Sequence, residues 1–309
     1  MTEYVIETLN LTKQYNDKKV VDNISMKVEK GKIYGLLGKN GAGKTTTMCM
    51  LLNIATKTSG EILLFGKKAN NETYKNIGSI IETPGFYENL TAEENLKIIS
   101  KIRGNYSKEK IQEILELVSL HNEKNKKYSE YSLGMKQRLG IASAILHKPE
   151  LLILDEPING LDPIGIKKIR YLLKKLSKEN NTTILISSHI LSEIENLADI
   201  IGIVDNGKLI TELSKEELHS KLNKRVDFEV SDITHAEQIL ENIGLHKNND
   251  YNIIKETNTI RLYTNLNLRD KLNELFVKKG LRVQKINICE ENLEDFFTRI
   301  INPEMELIA

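Results

Sequence analysis

Cysteine, proline and aromatic residues are scarce in this chain of 309 residues, and its charges nearly cancel. It contains two cysteines, Cys49 and Cys289, five prolines and no tryptophan. Because two cysteines cannot build a disulfide framework, the composition favours a reducing, cytoplasmic compartment. A formal net charge of +1 gives no general argument for binding nucleic acid, and we predict that the chain does not bind it.

Long apolar segments are also missing from the sequence. No run approaches the ~18 apolar residues that a membrane-spanning helix requires. The first residues, Met1-Thr2-Glu3-Tyr4, lack the basic and then apolar pattern of a signal peptide. Hydrophobic residues make up 40% of the chain and charged residues 28%. We therefore expect a globular protein, long enough for one large domain and one small domain.

A glycine-rich segment lies where a predicted strand, residues 32–37, is followed by a predicted helix. The segment consists of Gly38, Lys39, Asn40, Gly41, Ala42, Gly43, Lys44 and Thr45, with Thr46 next. This order matches the phosphate-binding P-loop at every constrained position. Glycines let backbone N–H groups wrap phosphates, Lys44 is expected to reach the outer phosphates, and Thr45 to ligate Mg²⁺. The segment predicts a site for ATP and Mg²⁺, whereas a plain glycine turn would not need Lys44 and Thr45.

A second motif is a predicted strand that ends in two acids. Residues 151–154 are Leu-Leu-Ile-Leu, and Asp155 and Glu156 follow them. Taken alone, two acids after a strand are ordinary solvated charges. Beside a P-loop, Asp155 is predicted to hold Mg²⁺ and Glu156 to polarise the attacking water as a general base.

The order of predicted elements indicates an α/β fold around a parallel sheet. Strands at 151–154 and 183–187 flank a helix near 163–178, and this β-α-β order implies parallel strands. Helical periodicity within about 85–150 predicts a separate helical subdomain. We expect a P-loop NTPase core over residues 1–218.

Two further regions complete the predicted architecture. Alternating residues at 4–9 and 24–28 predict an antiparallel β subdomain near the start of the chain. Residues 225–309 carry predicted elements in the order β-α-β-β-α-β, which suits a small α+β domain of the ferredoxin-like type. We expect these residues to form an accessory C-terminal domain, with no role assigned to it from the sequence.

A third motif identifies the family that the chain resembles. It reads Tyr131, Ser132, Leu133, Gly134, Met135, Lys136, Gln137 and Arg138. With the P-loop before it and the two acids after it, the chain resembles the ATP-binding subunit of an ATP-binding cassette transporter over about residues 3–215. The resemblance implies an ATPase that pairs head to tail with a second copy of itself. It also implies attachment to separate transmembrane permease subunits at the cytoplasmic face of the membrane.

The same resemblance implies roles for five further residues. Tyr15 matches the aromatic residue that stacks on adenine, and His189 matches the histidine that contacts the γ-phosphate. Ser132 and Gly134 match residues that face the γ-phosphate held by the opposite chain, and Asp162 lies in the loop that passes between the two sites. Taken singly, Tyr15 could be a rim residue of a sheet and His189 a structural histidine. A helix beginning near Gly134 would present free N–H groups and a dipole that favour an anion.

Three positions depart from the family pattern. Leu133 stands where the family has a glycine, and Met135 stands where it has a glutamine. Glu82, after a strand predicted at 77–81, replaces another glutamine that orients water or binds magnesium. A glutamate binds a metal more strongly than glutamine does, but its charge repels phosphate. We predict catalytic and metal-binding roles for Glu82, the alternative being a surface acid in a shifted register.

These departures themselves resemble a narrower group within the family. Glu82, together with residues 131–139, is similar to the ATPases of bacitracin-resistance and lantibiotic-immunity exporters. The segment Glu291-Asn292-Leu293-Glu294-Asp295-Phe296-Phe297 resembles the end of such drug exporters, although an amphipathic closing helix is sufficient to explain it through packing. The resemblance predicts resistance or immunity to a peptide antibiotic. The alternatives are export of a lipid, polysaccharide or ion, or a cassette ATPase without a transport role.

Overall fold

The computed structural model describes residues 3–82, 85–104, 106–264, 266–291 and 293–301. Residues 1, 2, 83, 84, 105, 265, 292 and 302–309 belong to the regions predicted above but lie outside these ranges. The chain divides into two compact units, Met1–Glu216 and Glu217–Ala309. In the described part of the chain, no helix is long and apolar enough to cross a lipid bilayer.

The first unit contains two sheets and several helices. Its strands are β1 (Tyr4–Tyr15), β2 (Lys18–Ile24), β3 (Lys27–Glu29), β4 (Ile33–Leu37), β5 (Ser59–Leu64), β6 (Lys67–Lys68), β7 (Ile77–Ile80), β8 (Leu151–Leu154), β9 (Thr183–Ser188), β10 (Ile200–Asp205) and β11 (Lys208–Ser214). Its helices are α1 (Lys44–Leu51), α2 (Asn71–Lys75), α3 (Ala92–Ile102), α4 (Lys108–Leu117), α5 (Leu133–Ile145), α6 (Pro163–Asn180) and α7 (Leu191–Glu195), with short 3₁₀ turns at His121–Glu123 and Tyr128–Glu130. Helix α8 (Lys215–Lys221) begins at the end of this unit.

The central sheet of the first unit has the strand order β11-β10-β4-β9-β8-β7. Its strands are parallel except β11, which pairs with β10 in the antiparallel sense. Every residue of β4, β8 and β9 is buried, as expected for strands covered on both faces. In this register Leu37 lies opposite Ser188, and Leu154 lies opposite Ile186. The P-loop, the two acids and His189 therefore follow neighbouring strand ends at one edge of the sheet.

A second, antiparallel sheet lies at the start of the chain, with the order β2-β1-β5-β6 and with β3 also paired to β1. The structure corrects the strand predicted at 24–28. The residues between Ile24, where β2 ends, and Lys27, where β3 begins, belong to neither strand. At this break the Thr8 hydroxyl donates to the Ile24 carbonyl and accepts from the Met26 N–H. A buried side chain thus replaces one rung of the ladder, which the alternating pattern could not reveal.

Three helices form the helical segment of this unit, as predicted. Helices α3, α4 and α5 begin at side-chain caps provided by Thr91, Ser107 and Ser132. Thr91 and Glu94 make a reciprocal capping box. Helix α5 begins at Leu133, one residue before the predicted start at Gly134.

The second unit has the predicted element order. It contains β12 (Lys224–Val230), α9 (Ile233–Asn242), β13 (Tyr251–Ile254), β14 (Thr259–Leu262), α10 (Arg269–Lys278), β15 (Val283–Glu290) and α11 (Leu293–Ile301). The sheet order β13-β14-β12-β15 with antiparallel neighbours is the ferredoxin-like arrangement. Phe228 and Phe276 meet edge to face in its core, with ring centroids 5.6 Å apart.

Candidate active site

The P-loop joins β4 to α1, and its glycines are required by its shape. Gly41 and Gly43 have φ angles of 82° and 104°, in the left-handed region that favours glycine. A Cβ atom on Gly38 would lie 2.3 Å from the Val204 carbonyl oxygen. Along the loop, Lys39, Asn40 and Gly41 are exposed, Ala42 and Gly43 are buried, and Thr46 is half-buried. The loop therefore presents its exposed turn to solvent and its buried end to the sheet.

Lys44 is the buried cation of this loop, with 5% of its surface exposed. Its ammonium group donates to the Gly38 carbonyl at 2.7 Å and to the Lys39 carbonyl at 3.3 Å. It also lies 3.3 Å from Oε1 of Glu156. A buried ammonium needs such acceptors, and these contacts hold the charge within the loop.

Thr45 and Asp155 bring two oxygen ligands together. The Thr45 hydroxyl donates to Asp155 Oδ2 at 2.8 Å, and the Ser187 hydroxyl donates to Asp155 Oδ1 at 2.6 Å. Hard-cation sites use such oxygens, and Mg²⁺ typically takes one or two carboxylates and completes its shell with water and phosphate. The described residues include no group of three or more His, Cys, Asp or Glu side chains that could hold a metal alone. The Thr45 hydroxyl and the Asp155 carboxylate are oxygen groups that could hold a Mg²⁺ ion whose remaining positions are filled by water and phosphate.

Glu156 and His189 form the second pair at this edge. Nδ1 of His189 lies 2.9 Å from Oε2 of Glu156, and both side chains are partly exposed. The Glu156 backbone has a φ of 47°, an uncommon value for a non-glycine residue. Its N–H donates to the Ser187 hydroxyl at 2.8 Å, which secures this conformation. A carboxylate paired with an imidazole at the mouth of a phosphate loop can accept a proton from water.

Glu82 lies two residues after the end of β7, with an exposed side chain and a φ of 59°. Its position relative to the P-loop is indicated by Cys49 on α1. Burial raises the pKa of the Cys49 thiol, and the negative charges of Asp155 and Glu82 raise it further. Both carboxylates therefore lie close enough to Cys49 to act on its thiol.

Tyr15 ends β1, and half of its surface is exposed. The Lys13 ammonium lies 4.6 Å from the centroid of its ring. The hairpin of β1 and β2 reaches the P-loop, because a Cβ atom on Gly43 would lie 2.6 Å from the Val20 carbonyl oxygen. An exposed aromatic ring on this hairpin can stack on a base.

Ser132, Gly134 and Asp162 lie together at a different place. They line one cavity of about 430 Å³, and no P-loop residue lines it. Ser132 caps α5 by accepting from the Met135 N–H, and Asp162 caps α6 by accepting from the Gly165 N–H at 3.0 Å. Two helix N-termini thus open onto this surface, separate from the P-loop of the same chain.

Several residues at the site were missed by the sequence predictions. Ser187 holds both acids, and its only sequence signal is its place at a strand end before His189. Asn95 is buried and fixes the loop after Glu82, accepting from the Tyr87 N–H and donating to the Tyr87 carbonyl. The Phe86 and Tyr128 rings pack with centroids 5.1 Å apart. Tyr128 belongs to the helical segment, so this segment also holds the loop in place.

The geometry defines a nucleotide-binding ATPase of the P-loop class, and comparisons with known proteins place it further. The ABC transporter family model matches residues 21–159. The chain is 55% identical to the bacitracin transport ATP-binding protein BcrA of Enterococcus faecalis, over 97% of each chain. It is 44% identical to the lantibiotic transport ATP-binding protein SrtF of Streptococcus pyogenes, over 73% of this chain and 99% of that protein.

A solved structure extends the comparison. The dimeric post-hydrolysis state of the ATP-binding cassette MJ0796, bound to ADP and Pi, is similar with a TM-score of 0.61 and 25% identity, over 68% of this chain and 98% of that chain. The chain therefore belongs to the ATP-binding proteins of ABC transporters, an ATPase family. The predicted fold class and family are confirmed.

Proposed function

We propose that this chain is the ATP-hydrolysing subunit of an exporter that protects a cell against a peptide antibiotic of the bacitracin type. The observation that carries the proposal is the extent of the similarity to BcrA, which spans 97% of both chains at 55% identity and so includes the second unit. The similarity to SrtF favours a lantibiotic as the second candidate. SrtF aligns over 228 residues, which is 73% of this chain, so the similarity to SrtF does not span the full length of this chain.

ATP and Mg²⁺ are assigned to the edge of the central sheet. Lys44, freed from the Gly38 and Lys39 carbonyls, would neutralise the outer phosphates, and the loop N–H groups would wrap them. Thr45 and Asp155 would hold Mg²⁺, whose charge draws electron density from the phosphates. Tyr15 would stack on adenine. This set is supported by the 2.8 Å contact between Thr45 and Asp155.

Glu156 is assigned as the general base and His189 as its partner. The Glu156 carboxylate would take a proton from the attacking water, while His189 would orient that carboxylate through the 2.9 Å contact and face the terminal phosphate. Glu82 would approach the metal from the segment that follows β7. Its charge, where the family has glutamine, would tighten metal binding and oppose phosphate.

Two copies of the chain would bind head to tail. The N-terminus of α5, with Ser132 and Gly134, would favour an anion, and the P-loop of the same chain does not line their cavity. In the dimer they would face the nucleotide of the opposite copy, with Asp162 between the two sites. Permease subunits would hold the pair at the cytoplasmic face of the membrane. Tyr87, which is 60% exposed on the loop that Asn95 fixes, would contact these subunits.

Antibiotic susceptibility tests the cargo. The gene for this chain would be deleted from its source cell and restored as wild type or as Glu156→Gln, with bacitracin, several lantibiotics and an unrelated drug in the panel. Hypersensitivity to bacitracin that only the wild type rescues is expected. Rescue from a lantibiotic alone would select the second candidate. No change across the panel would overturn the peptide cargo and favour a lipid, polysaccharide or ion.

A biochemical measurement tests the base separately. Glu156→Gln keeps the size of the side chain and removes its basicity, so ATP should bind but persist. We expect this variant to run as a dimer with ATP in size-exclusion chromatography, while the wild type returns to monomer after hydrolysis. Lys44→Ala is the matched control, because loss of the phosphate contact should prevent the dimer. Normal hydrolysis by Glu156→Gln would contradict the assignment.

A further inference from the structure

A cavity of about 400 Å³ lies at the edge of the central sheet opposite the P-loop. It opens where the turn at Gly31 enters β4, beside the C-terminal half of α6. Its lining includes five lysines and two acids, namely Lys30, Lys32, Lys174, Lys178, Lys215, Glu195 and Asp199. The proposed ATPase cycle uses none of these side chains.

Hydrogen bonds fix the walls of this cavity. The Ser177 hydroxyl donates to the Gly31 carbonyl at 2.8 Å, and the Gly31 N–H donates to the Thr183 hydroxyl at 3.0 Å. Asp199 Oδ2 accepts from the Ile33 N–H at 2.9 Å, so this acid is already engaged by the backbone. The cavity is therefore preformed.

In the described part of the chain, most of the lysines around the cavity lie farther than 4.0 Å from any carboxylate oxygen. Lys30 is paired with Glu3 at 3.0 Å. Within the described ranges, Lys32, Lys174, Lys178 and Lys215 form no ion pair within 4.0 Å. Burial lowers the pKa of Lys174, and the nearby positive charges lower it further, with only Asp199 opposing them. Positive charges therefore lie close to the Lys174 ammonium at this cavity.

We propose that this cavity binds a small phosphate compound that carries at least two negative charges. A lysine ammonium is a compact point charge that suits phosphate oxygens. A multivalent anion would relieve the repulsion among amines that converge from three separate elements. Lys178 also complements the dipole at the end of α6, but Lys32 and Lys215 lie outside that helix, so the dipole does not account for the cluster.

Two sources share this chemistry, a free phosphate compound and the headgroup of an anionic lipid. The first probe is pyrophosphate, measured by calorimetry at low salt. The P-loop also attracts pyrophosphate, so all variants carry Lys44→Ala. The second probe is vesicles of phosphatidylglycerol, measured by co-sedimentation against vesicles of phosphatidylcholine.

The cavity variant is Lys174→Ala with Lys178→Ala. Its control is Lys167→Ala with Lys175→Ala, which removes the same charge from the same helix outside the cavity lining. We expect pyrophosphate to bind at least about tenfold more weakly to the cavity variant, because each lysine lost removes a charge-assisted bond, with the control unchanged. The same pattern on anionic vesicles alone would identify the lipid headgroup as the source.

Equal binding by the cavity variant and the control would overturn the proposal, as would no binding to either probe. With Lys44 intact, both double variants should keep wild-type ATPase activity without pyrophosphate, which establishes that they fold. If Lys44→Ala itself fails to fold, the same comparison is made with the P-loop saturated by ADP.

Discussion

Replacing Ser187 by alanine would test how the two acids at the end of β8 are held. The Ser187 hydroxyl is fully buried; it donates to Asp155 Oδ1 at 2.6 Å and accepts from the Glu156 N–H at 2.8 Å. Alanine removes both bonds with little change in volume. One oxygen of a buried carboxylate and one backbone N–H would then lose the partner that the hydroxyl provides.

The size of the effect follows from the charge of the acceptor. A hydrogen bond to a charged group contributes about 1.5–3 kcal/mol, and a buried group left without a partner costs about 1–3 kcal/mol. Both contributions come from one hydroxyl, so they do not add in full. We therefore expect a loss of about 2–4 kcal/mol in the free energy of unfolding of the first unit. Glu156 would also lose the anchor of its left-handed backbone. Displacement of a base by about 1 Å costs about 100-fold in rate, so we expect kcat to fall by about 10- to 100-fold.

Urea unfolding and steady-state ATPase assays would measure the two effects. Ser188→Ala is the matched control, because the Ser188 hydroxyl accepts from the Ile190 N–H at 3.0 Å and contacts neither acid. It should change kcat less than Ser187→Ala does. If Ser187→Ala keeps wild-type kcat and stability, the hydroxyl does not position the two acids and the reasoning fails.

Two further predictions concern the packing of the helical segment on the sheet. A Cβ atom on Gly78 would lie 2.1 Å from the Ala144 carbonyl oxygen, so Gly78→Ala should destabilise the first unit by about 2 kcal/mol or more in urea unfolding. Burial lowers the pKa of His147 to about 4, with the positive charge of Arg103 adding to the effect and a hydrogen bond to Ile77 opposing it. The unfolded chain takes up this proton near pH 6.5 and the native chain only near pH 4, so stability should be complete above pH 6.5 and fall as the pH drops towards 4.

Each of these predictions has a control in the chain. Among the described residues, apart from its chain neighbour Phe86, a Cβ atom on Gly85 would meet no atom within 4 Å, so Gly85→Ala should leave stability nearly unchanged. Equal effects of the two alanines would refute the packing argument for Gly78. His147→Gln cannot be protonated and should flatten the loss of stability between pH 6.5 and 4. An unaltered pH dependence in that variant would refute the assignment to His147.

Short-range patterns carried most of the correct predictions. The P-loop is a local device, because its glycines, Lys44 and Thr45 act within one strand–loop–helix unit. The C-terminal β-α-β-β-α-β order could be predicted for a similar reason. Each helix and strand there shows a hydrophobic periodicity within its own residues, and turn residues separate it from the next element. The missed elements β2, β5 and β6 lie in the antiparallel sheet, where exposed residues weaken the alternation and pairing with distant strands decides the structure.

The sequence by itself determined the motifs, their order and the fold class, because the spacing of glycines, acids and apolar residues follows from backbone geometry alone. Only the tertiary structure decided how these motifs meet. The register of β4, β8 and β9 brings Ser187 beneath both acids and His189 beside Glu156, although 31 residues separate Glu156 from Ser187. The packing of helices on the sheet places lysines from three elements around a cavity at the end of the sheet opposite the P-loop. These contacts between residues distant in sequence depend on strand pairing and helix packing, which leave no local signal in a single sequence.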